Sequence, residues 1–430
     1  MTINHSTQGI ATTGKASGSP AADTSSGSSG ATVEQKHPHG SRYYAFLITY
    51  LVLLSAFGSF VNDMYLPTLP EMTRYFHCSV PEVQLGLTMG MIGLGVGQLL
   101  LGPLSDRYGR KPVLIISMLV FIAGAVTSVF SPTIHFFLGC RLVQGIGASG
   151  GYFLARTVPA DIYFGRPLAK MMALIGAING FAPASAPVLG GLLAGSVHWQ
   201  GIFWVLAGFA ALLVFISFFF KETLPVSRRV KGKLSHIFDE FVPLIRNRAF
   251  MIHVLLKGTA LGVLFAYTSS APFIMQDIYG FSELKFGLFM GFNALFTAAG
   301  AMFALRFKIL KKGAWTGSWI LLVAAVTEGF ALFAIHNVWV YEVLLLPMLF
   351  GMGMIFTVGN TLAMNEGRSN AGAASAIVGV GGYVFGAIVA PLVGLGDIRH
   401  STAIVFVAMA LLTLVYAFAS RRLPADLDRS

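Results

Sequence analysis

Two charged residues stand in stretches that are otherwise almost wholly apolar. Asp63 lies in SAFGSFVNDMYLPTLP beside Asn62, and Arg141 lies in FFLGCRLVQGIGASGG. Inside a membrane a carboxyl costs about 2.5 to 3.5 kcal/mol on insertion scales, so its presence points to a cavity and a task. Withdrawal from water favours the protonated form of a carboxyl, and a nearby arginine opposes that bias, which together suit proton uptake and release. A third constellation is GPLSDRYGRKPVL. Here Asp106 opposes Arg107, Arg110 and Lys111, while Gly102 and Gly109 permit close approach and a tight turn. Such a cluster is suited to latching one helix bundle to another. A fourth, GFAPASAPVLGGLLAG, places Pro183, Pro187, Gly190 and Gly191 where helices can bend and pack closely.

Other signals carry no chemistry. Gly145-Ile146-Gly147-Ala148-Ser149-Gly150 matches a dinucleotide fingerprint, but no strand precedes it and it lies in an apolar run, so it reads as helix packing. There is no GxxxxGK[ST] loop for ATP. Cys78 and Cys140 have neither metal-ligand spacing nor a shared compartment, so no disulfide, metal or cofactor is expected.

The elements that must position these groups follow from composition. Of 430 residues 55% are hydrophobic and 11% charged, and the mean hydropathy is +0.73. That excludes an ordinary soluble enzyme and indicates a chain dissolved mostly in lipid. From Tyr43 onward, apolar stretches of about 20 residues recur between polar breaks, each long enough to cross the bilayer as a helix. They fall near 43–66, 83–103, 112–131, 133–156, 170–194, 201–221, 250–275, 284–306, 314–335, 339–362, 372–394 and 399–420. The expected fold class is therefore an all-α membrane protein with twelve transmembrane helices.

The net charge of +11 is explained by topology rather than by nucleic acid. With both termini cytoplasmic, the outer loops hold only Arg74, Lys285 and Arg399 of the 29 basic residues, and the spans hold Arg141 and Lys257. Residues 1–41, rich in Ser, Gly, Thr and Ala, are expected to be a disordered cytoplasmic tail. The longest inner connection, 222–249, separates bundles at 42–221 and 250–421, and 422–430 forms a second tail. Within the connection Leu234, Ile237, Phe238, Phe241, Leu244 and Ile245 recur at helical spacing, as on an interfacial linker helix. The halves look duplicated. Ala186-Pro187-Val188-Leu189-Gly190 recurs as Ala390-Pro391-Leu392-Val393-Gly394, and Gly109 as Gly313, at one shared offset. Two parallel six-helix repeats rocking around a central site is a transporter architecture.

The Gly102–Leu114 segment resembles the signature loop of the major facilitator superfamily. NDMYLPTLPEM, RLVQGIGASGG and APVLGG resemble its bicyclomycin and chloramphenicol resistance branch (Bcr/CflA). The likeness runs over about 43–420. It implies the major facilitator fold and a proton-driven exporter of drugs or other small molecules, gated on the cytoplasmic side by Asp106 and its basic neighbours. It further implies that Asp63 carries protons or recognises cationic substrates, that Asn62 contacts substrate, and that Arg141 couples the two events. The fifth-span segment resembles the family's antiporter motif, with Ala186 where a glycine commonly precedes proline.

Several positions stay open. Tyr65, Tyr152, Tyr267, Phe273, Asn293 and Tyr383 are candidates to line a cavity between the halves, a surface suited to varied apolar ligands. Lys257 is expected to snorkel, Glu342 and Asp277 to be solvated near outer helix ends, and Glu328 has no assigned role. His77, His135, His198, His336 and His400 fall in outer loops, where scattered surface histidines are the simpler reading and a pH or metal site the other. The reading is a monomeric secondary transporter of the bacterial inner membrane, binding protons and an amphipathic small molecule. Its alternatives are an exporter of one metabolite such as a siderophore or sugar, or proton-linked uptake. A polytopic receptor or membrane enzyme fits poorly, since no cluster of His, Asp or nucleophiles shares one depth.

Overall fold

The computed structural model describes residues 40–163, 165–229 and 241–423. Most of both tails, together with Leu234, Ile237 and Phe238 of the linker, lies outside the described residues. The chain divides into compact units at 1–44 and 45–430, and the spans from Ala45 onward belong to the second.

The helices are α1 (Gly40–Asp63), α2 (Leu69–Phe76), α3 (Val80–Tyr108), α4 (Arg110–Val129), α5 (Ile134–Ile162), α6 (Gly165–Ser217) and α7 (Phe241–Arg246). They continue with α8 (Arg248–Pro272), α9 (Glu283–Ala304), α10 (Leu310–Ala334), α11 (Val338–Glu366), α12 (Ala371–Leu392) and α13 (Ile398–Arg421). Among the described residues 10 helical stretches are long and apolar enough to cross a membrane. The crossings number twelve. One of those stretches, Phe181–Ser217, reverses at His198 (φ 56°) into the fifth and sixth spans, and α5, with its charged residues, is the fourth at 29 residues. The spans α1 and α3 to α6 form the first repeat, and α8 to α13 the second.

Several span starts have side-chain caps, because the first N–H groups of a helix have no intrahelical acceptor. Ser79 and Glu82 form a capping box at α3, Asn247 accepts from Ala249 and Phe250 at α8, and Asn337 accepts from Trp339 at α11. Asp397 accepts from the backbones of Arg399 and His400 at α13, and the His400 N–H holds its carboxyl below the usual aspartate range. That cap is complete above the ordinary aspartate pKa and fails only as pH falls through the lowered value.

In lipid, helices gain little from burying apolar surface against one another, so close backbone contact has to hold them. Glycine supplies it. A Cβ on Gly145 of α5 would fall on the Gly90 carbonyl oxygen of α3, one on Gly93 would fall on the Leu142 carbonyl, and one on Gly147 would fall on the Phe121 backbone of α4. Gly145, Gly147 and Gly150, which match a dinucleotide fingerprint in spacing alone, are thus the contact stripe of α5, as expected of helix packing. In the linker Phe241, Leu244 and Ile245 lie on α7, with Leu244 buried against Phe250, Val254, Ala374 and Val378 and Ile245 exposed.

The repeats meet through α3 against α12 and α6 against α9. Their joining bonds cluster at the end opposite the last residues of α13. Gln84 donates to Ser269 O (3.0 Å), Thr88 to Ala387 O (3.0 Å) and Gln276 to Pro67 O (2.9 Å), and Arg74 pairs with Asp277 (3.2 Å). Gly287 of α9 packs on the Pro187 carbonyl and Gly394 on Pro81 and Gln84, so the two copies of the duplicated motif serve the same seam. The other end is called the terminal face below. Gly145→Val should lower the thermal midpoint by the equivalent of about 1 to 3 kcal/mol. Gly139→Ala, with nothing within 4 Å, should leave it unchanged, as differential scanning fluorimetry in detergent would read.

Candidate functional site

α1 ends at Asp63, which leaves the Val61 carbonyl with no partner further along the helix. Arg141 fills that gap. Fully buried, it donates from Nη2 to Val61 O (3.3 Å), from Nε to Gly86 O (3.3 Å) and from Nη1 to Gln144 Oε1 (2.8 Å). Gln144 Nε2 in turn donates to Gly124 O (3.1 Å) on α4, so this arginine and glutamine stitch α1, α3, α4 and α5 together. The guanidinium also stacks over the Tyr65 ring at 4.5 Å, and a Cβ on Gly90 would meet it at 2.8 Å. A cation at a helix C-terminus is favourable against the negative end of the macrodipole. Among the described residues no carboxylate lies within ion-pair distance of Arg141, so it acts on Asp63 only through space.

Asp63 is half-buried, whereas Asn62 is 8% exposed and Tyr65 is fully buried in the arginine's shell. From α5, the Tyr152 ring lies against Gly58 of α1 and is covered by Arg156, whose guanidinium is 4.2 Å from the ring centre and donates to its hydroxyl at 2.5 Å. Tyr383 comes up to Tyr152 from α12, within the electrostatic reach of both Asp63 and Arg156. Asp63, Tyr152 and Tyr383 therefore converge on the space between the repeats. Tyr267, Phe273 and Asn293 do not join them. Asn293 Nδ2 donates to Tyr267 Oη (2.8 Å) and to Glu342 Oε2 (3.0 Å) inside the second repeat, and Phe273 is buried at the π-helical turn after α8.

Some charged groups sit elsewhere than their sequence positions suggest. Lys257 does not snorkel: it is 6% exposed and donates to Asn360 Oδ1 of α11 at 3.0 Å. Glu342 is 5% exposed because α11 turns it inward onto Asn293, and fully buried Glu328 has neither oxygen hydrogen-bonded. Asp277 is the exposed partner of Arg74. His198 pairs with Glu71 at 2.9 Å and His400 stacks on Phe333 at 4.3 Å. Among the described residues no three His, Cys, Asp or Glu side chains gather as metal ligands would.

The charged loop between α3 and α4 is organised around Arg110, which pairs with Asp106 at 2.7 Å and Asp161 at 2.8 Å and bonds Ser105. Gly109 has φ +105°, and a Cβ there would strike Glu222, which accepts from the Arg110 and Lys111 backbones and so caps α4. Lys111 Nζ donates to Phe218 O, Arg107 is exposed, and buried Gly102 packs on Phe153. This loop is held by α5, by the end of the sixth span and by the start of the linker. In the fifth span Gly190 lies on the Met64 carbonyl just after Asp63, and a Cβ on Gly287 of α9 would fall on the Pro187 carbonyl, while Pro183 lies half-buried one turn earlier. Asp161, Glu222 and Gln144 escaped the sequence reading, since only their three-dimensional partners distinguish them from ordinary polar residues.

The Major Facilitator Superfamily model matches residues 51–391. The chain belongs to that superfamily. Its members are membrane transporters and not enzymes. The chain is 34% identical over 384 residues, 86% of its length and 92% of the relative's, to the uncharacterized transporter YdgK of this superfamily from Bacillus subtilis. It is 28% identical over 407 residues, 88% of its length and 97% of the relative's, to a bicyclomycin resistance protein homolog from Haemophilus influenzae. Its fold is similar, with a TM-score of 0.73 at 15% identity, to an inward-facing bacterial homolog of the human lysosomal transporter Spinster, covering 89% of this chain and 98% of that one. Asp161→Ala takes from buried Arg110 the less exposed of its two carboxylates and should cost about 3 kcal/mol, whereas half-exposed Asp106→Asn should cost under about 1 kcal/mol. Equal shifts in thermal midpoint would contradict this division of roles.

Proposed function

We propose that this transporter expels small amphipathic molecules, antibiotics among them, in exchange for protons carried on Asp63. The observation that carries the reading is the position of this carboxyl: half-buried, unpaired by any described cation, and beside tyrosines contributed by both repeats. A group placed there is reached by water and substrate when the repeats part. The multidrug and bicyclomycin resistance proteins among the relatives support drug efflux as the physiological direction. The basic residues of the loops on the terminal face support a cytoplasmic location for both termini in the bacterial inner membrane. With that orientation the joined end is periplasmic, and the arrangement of the repeats is the one that loads from the cytoplasm. The bundles 42–221 and 250–421 are the moving bodies, 222–249 is their tether, and one chain suffices for the cycle.

Exchange requires that proton and substrate favour different states, since equal binding to both shifts nothing. Substrate entering beside Tyr152 and Tyr383 takes the space that the protonated carboxyl faces, and the proton leaves. Arg141 holds the end of α1 in place throughout and supplies the positive field for the ionised form, while the Asn62 amide oxygen lies beside the guanidinium at Gly90. The segment from Pro183 to Gly191 then acts as the hinge between α1 and α9. In proteoliposomes a panel of amphipathic antibiotics should evoke proton movement with the parent protein and none with Asp63→Asn. Unaltered proton movement in that variant would remove Asp63 from the mechanism.

A further inference from the structure

Besides Arg141, two more cations inside spans have no anionic partner among the described residues. Arg156 lies within the last two turns of α5 and Lys257 in the third turn of α8, roughly 9 and 14 Å from the ends of their helices on the terminal face at 1.5 Å per residue. They come from opposite repeats, and their charges act on each other across the gap. Their polar contacts are all neutral: Arg156 has the Tyr152 hydroxyl and ring, and Lys257 has Asn360 Oδ1 and the Phe356 ring at 4.7 Å. Among the described residues neither has a carboxylate within ion-pair distance. The contrast with Arg110, which has two carboxylates, and with Arg141, which is fully buried and saturated by carbonyl and amide oxygens, is chemical. Those two are structural cations; Arg156 and Lys257 are left electrostatically unbalanced.

The surroundings of the pair are open and aromatic. Arg156, Tyr152, Tyr383 and Asn360 are half-buried and Phe356 is 41% exposed, and Tyr152 and Tyr383 meet across the seam. We propose that Arg156 and Lys257 form an anion-binding subsite of the transport cavity, so that the preferred cargo couples an acidic group, a carboxylate, sulfonate or phosphate, to an apolar body laid on Tyr152, Tyr383 and Phe356. This rests on the transporter reading and names its substrate class. The planar guanidinium offers a forked donor to such a group and the ammonium a compact charge. An anion between them removes a like-charge repulsion in a medium that screens it poorly, and in doing so draws α5 toward α8. Cargo of this kind therefore favours approach of the repeats on the terminal face, the movement that a transport step requires. Asp63, also within reach of Tyr383, stays a separate group: its proton sets coupling, and the cation pair sets which cargo binds.

The test uses a matched pair of fluorophores, 1-anilinonaphthalene-8-sulfonate and its uncharged parent N-phenyl-1-naphthylamine, titrated against the purified full-length transporter in a neutral detergent. Saturable binding corrected for empty micelles gives an affinity ratio that cancels the shared apolar part. The sulfonate should bind the parent protein about tenfold or more tightly. The ratio should fall to about one in Arg156→Gln and in Lys257→Gln, recover largely in Arg156→Lys, and stay put in the exposed control Lys308→Gln. In Asp63→Asn the preference should persist even where proton exchange is lost, which separates failure of this proposal from failure of the coupling mechanism. A parent ratio near one overturns the proposal without any variant, as does a ratio that survives in Arg156→Gln or Lys257→Gln.

Discussion

Everything at the centre of this protein depends on a guanidinium withdrawn from water. Arg141 is fully buried, yet it neutralises no carboxylate by contact; it is held by oxygens of α1, α3 and its own helix. A buried charge without such partners would be far too costly to keep. The partners exist only because α1 stops where it does, leaving the Val61 carbonyl without a partner further along the helix, and because Gly90 leaves room for the side chain. The end of α1 is thereby fixed to within hydrogen-bond tolerance. Asp63, two residues beyond Val61, inherits that position, between the negative end of a helix dipole and a positive charge held at longer range.

Glycine makes the same constraint work over the rest of the bundle. Backbones touch at Gly90 and Gly145, Gly93 and Leu142, Gly190 and Met64, Gly191 and Glu283. The first two contacts make the first repeat rigid around Arg141. The third holds the residue after Asp63 against the fifth span, and the fourth joins that span, which carries Pro183 and Pro187, to the other repeat, so the segment that supports the residue after Asp63 also bears on α9. A displacement at either place is felt at the other, because close-packed contacts of this kind have little slack. The Arg110 cluster plays a comparable part at the terminal face, where Asp161 and Glu222 tie the turn after α3 to α5 and to the segment beyond the sixth span.

Much of this was legible in the sequence, for a physical reason. Crossing a bilayer demands about 20 apolar residues, and a charge inside one is conspicuous, so the spans, Asp63 and Arg141 stand out against their background. The convergence of Tyr152 and Tyr383 was within reach as aromatic positions on two central spans. What escaped was pairing between distant segments. Arg156 counts as a loop cation only while the fourth span is ended there, and α5 runs on to Ile162. Lys257 reads as a snorkelling side chain until Asn360, on another helix, is found beside it. Glu342 reads as solvated from its place near a helix start, yet the rotation of α11 faces it onto Asn293. Hydropathy gives depth; it does not give the face of a helix that meets a neighbour.

The central claim is that a carboxyl fixed by this scaffold exchanges a proton when cargo arrives, and infrared difference spectroscopy of the purified protein reads that event at the bond concerned. Cargo binding should remove a protonated-carboxyl carbonyl band in the parent, and the same band should be missing altogether from Asp63→Asn. A spectrum in which cargo binds and the band is untouched, or in which the band survives the substitution, would contradict the account.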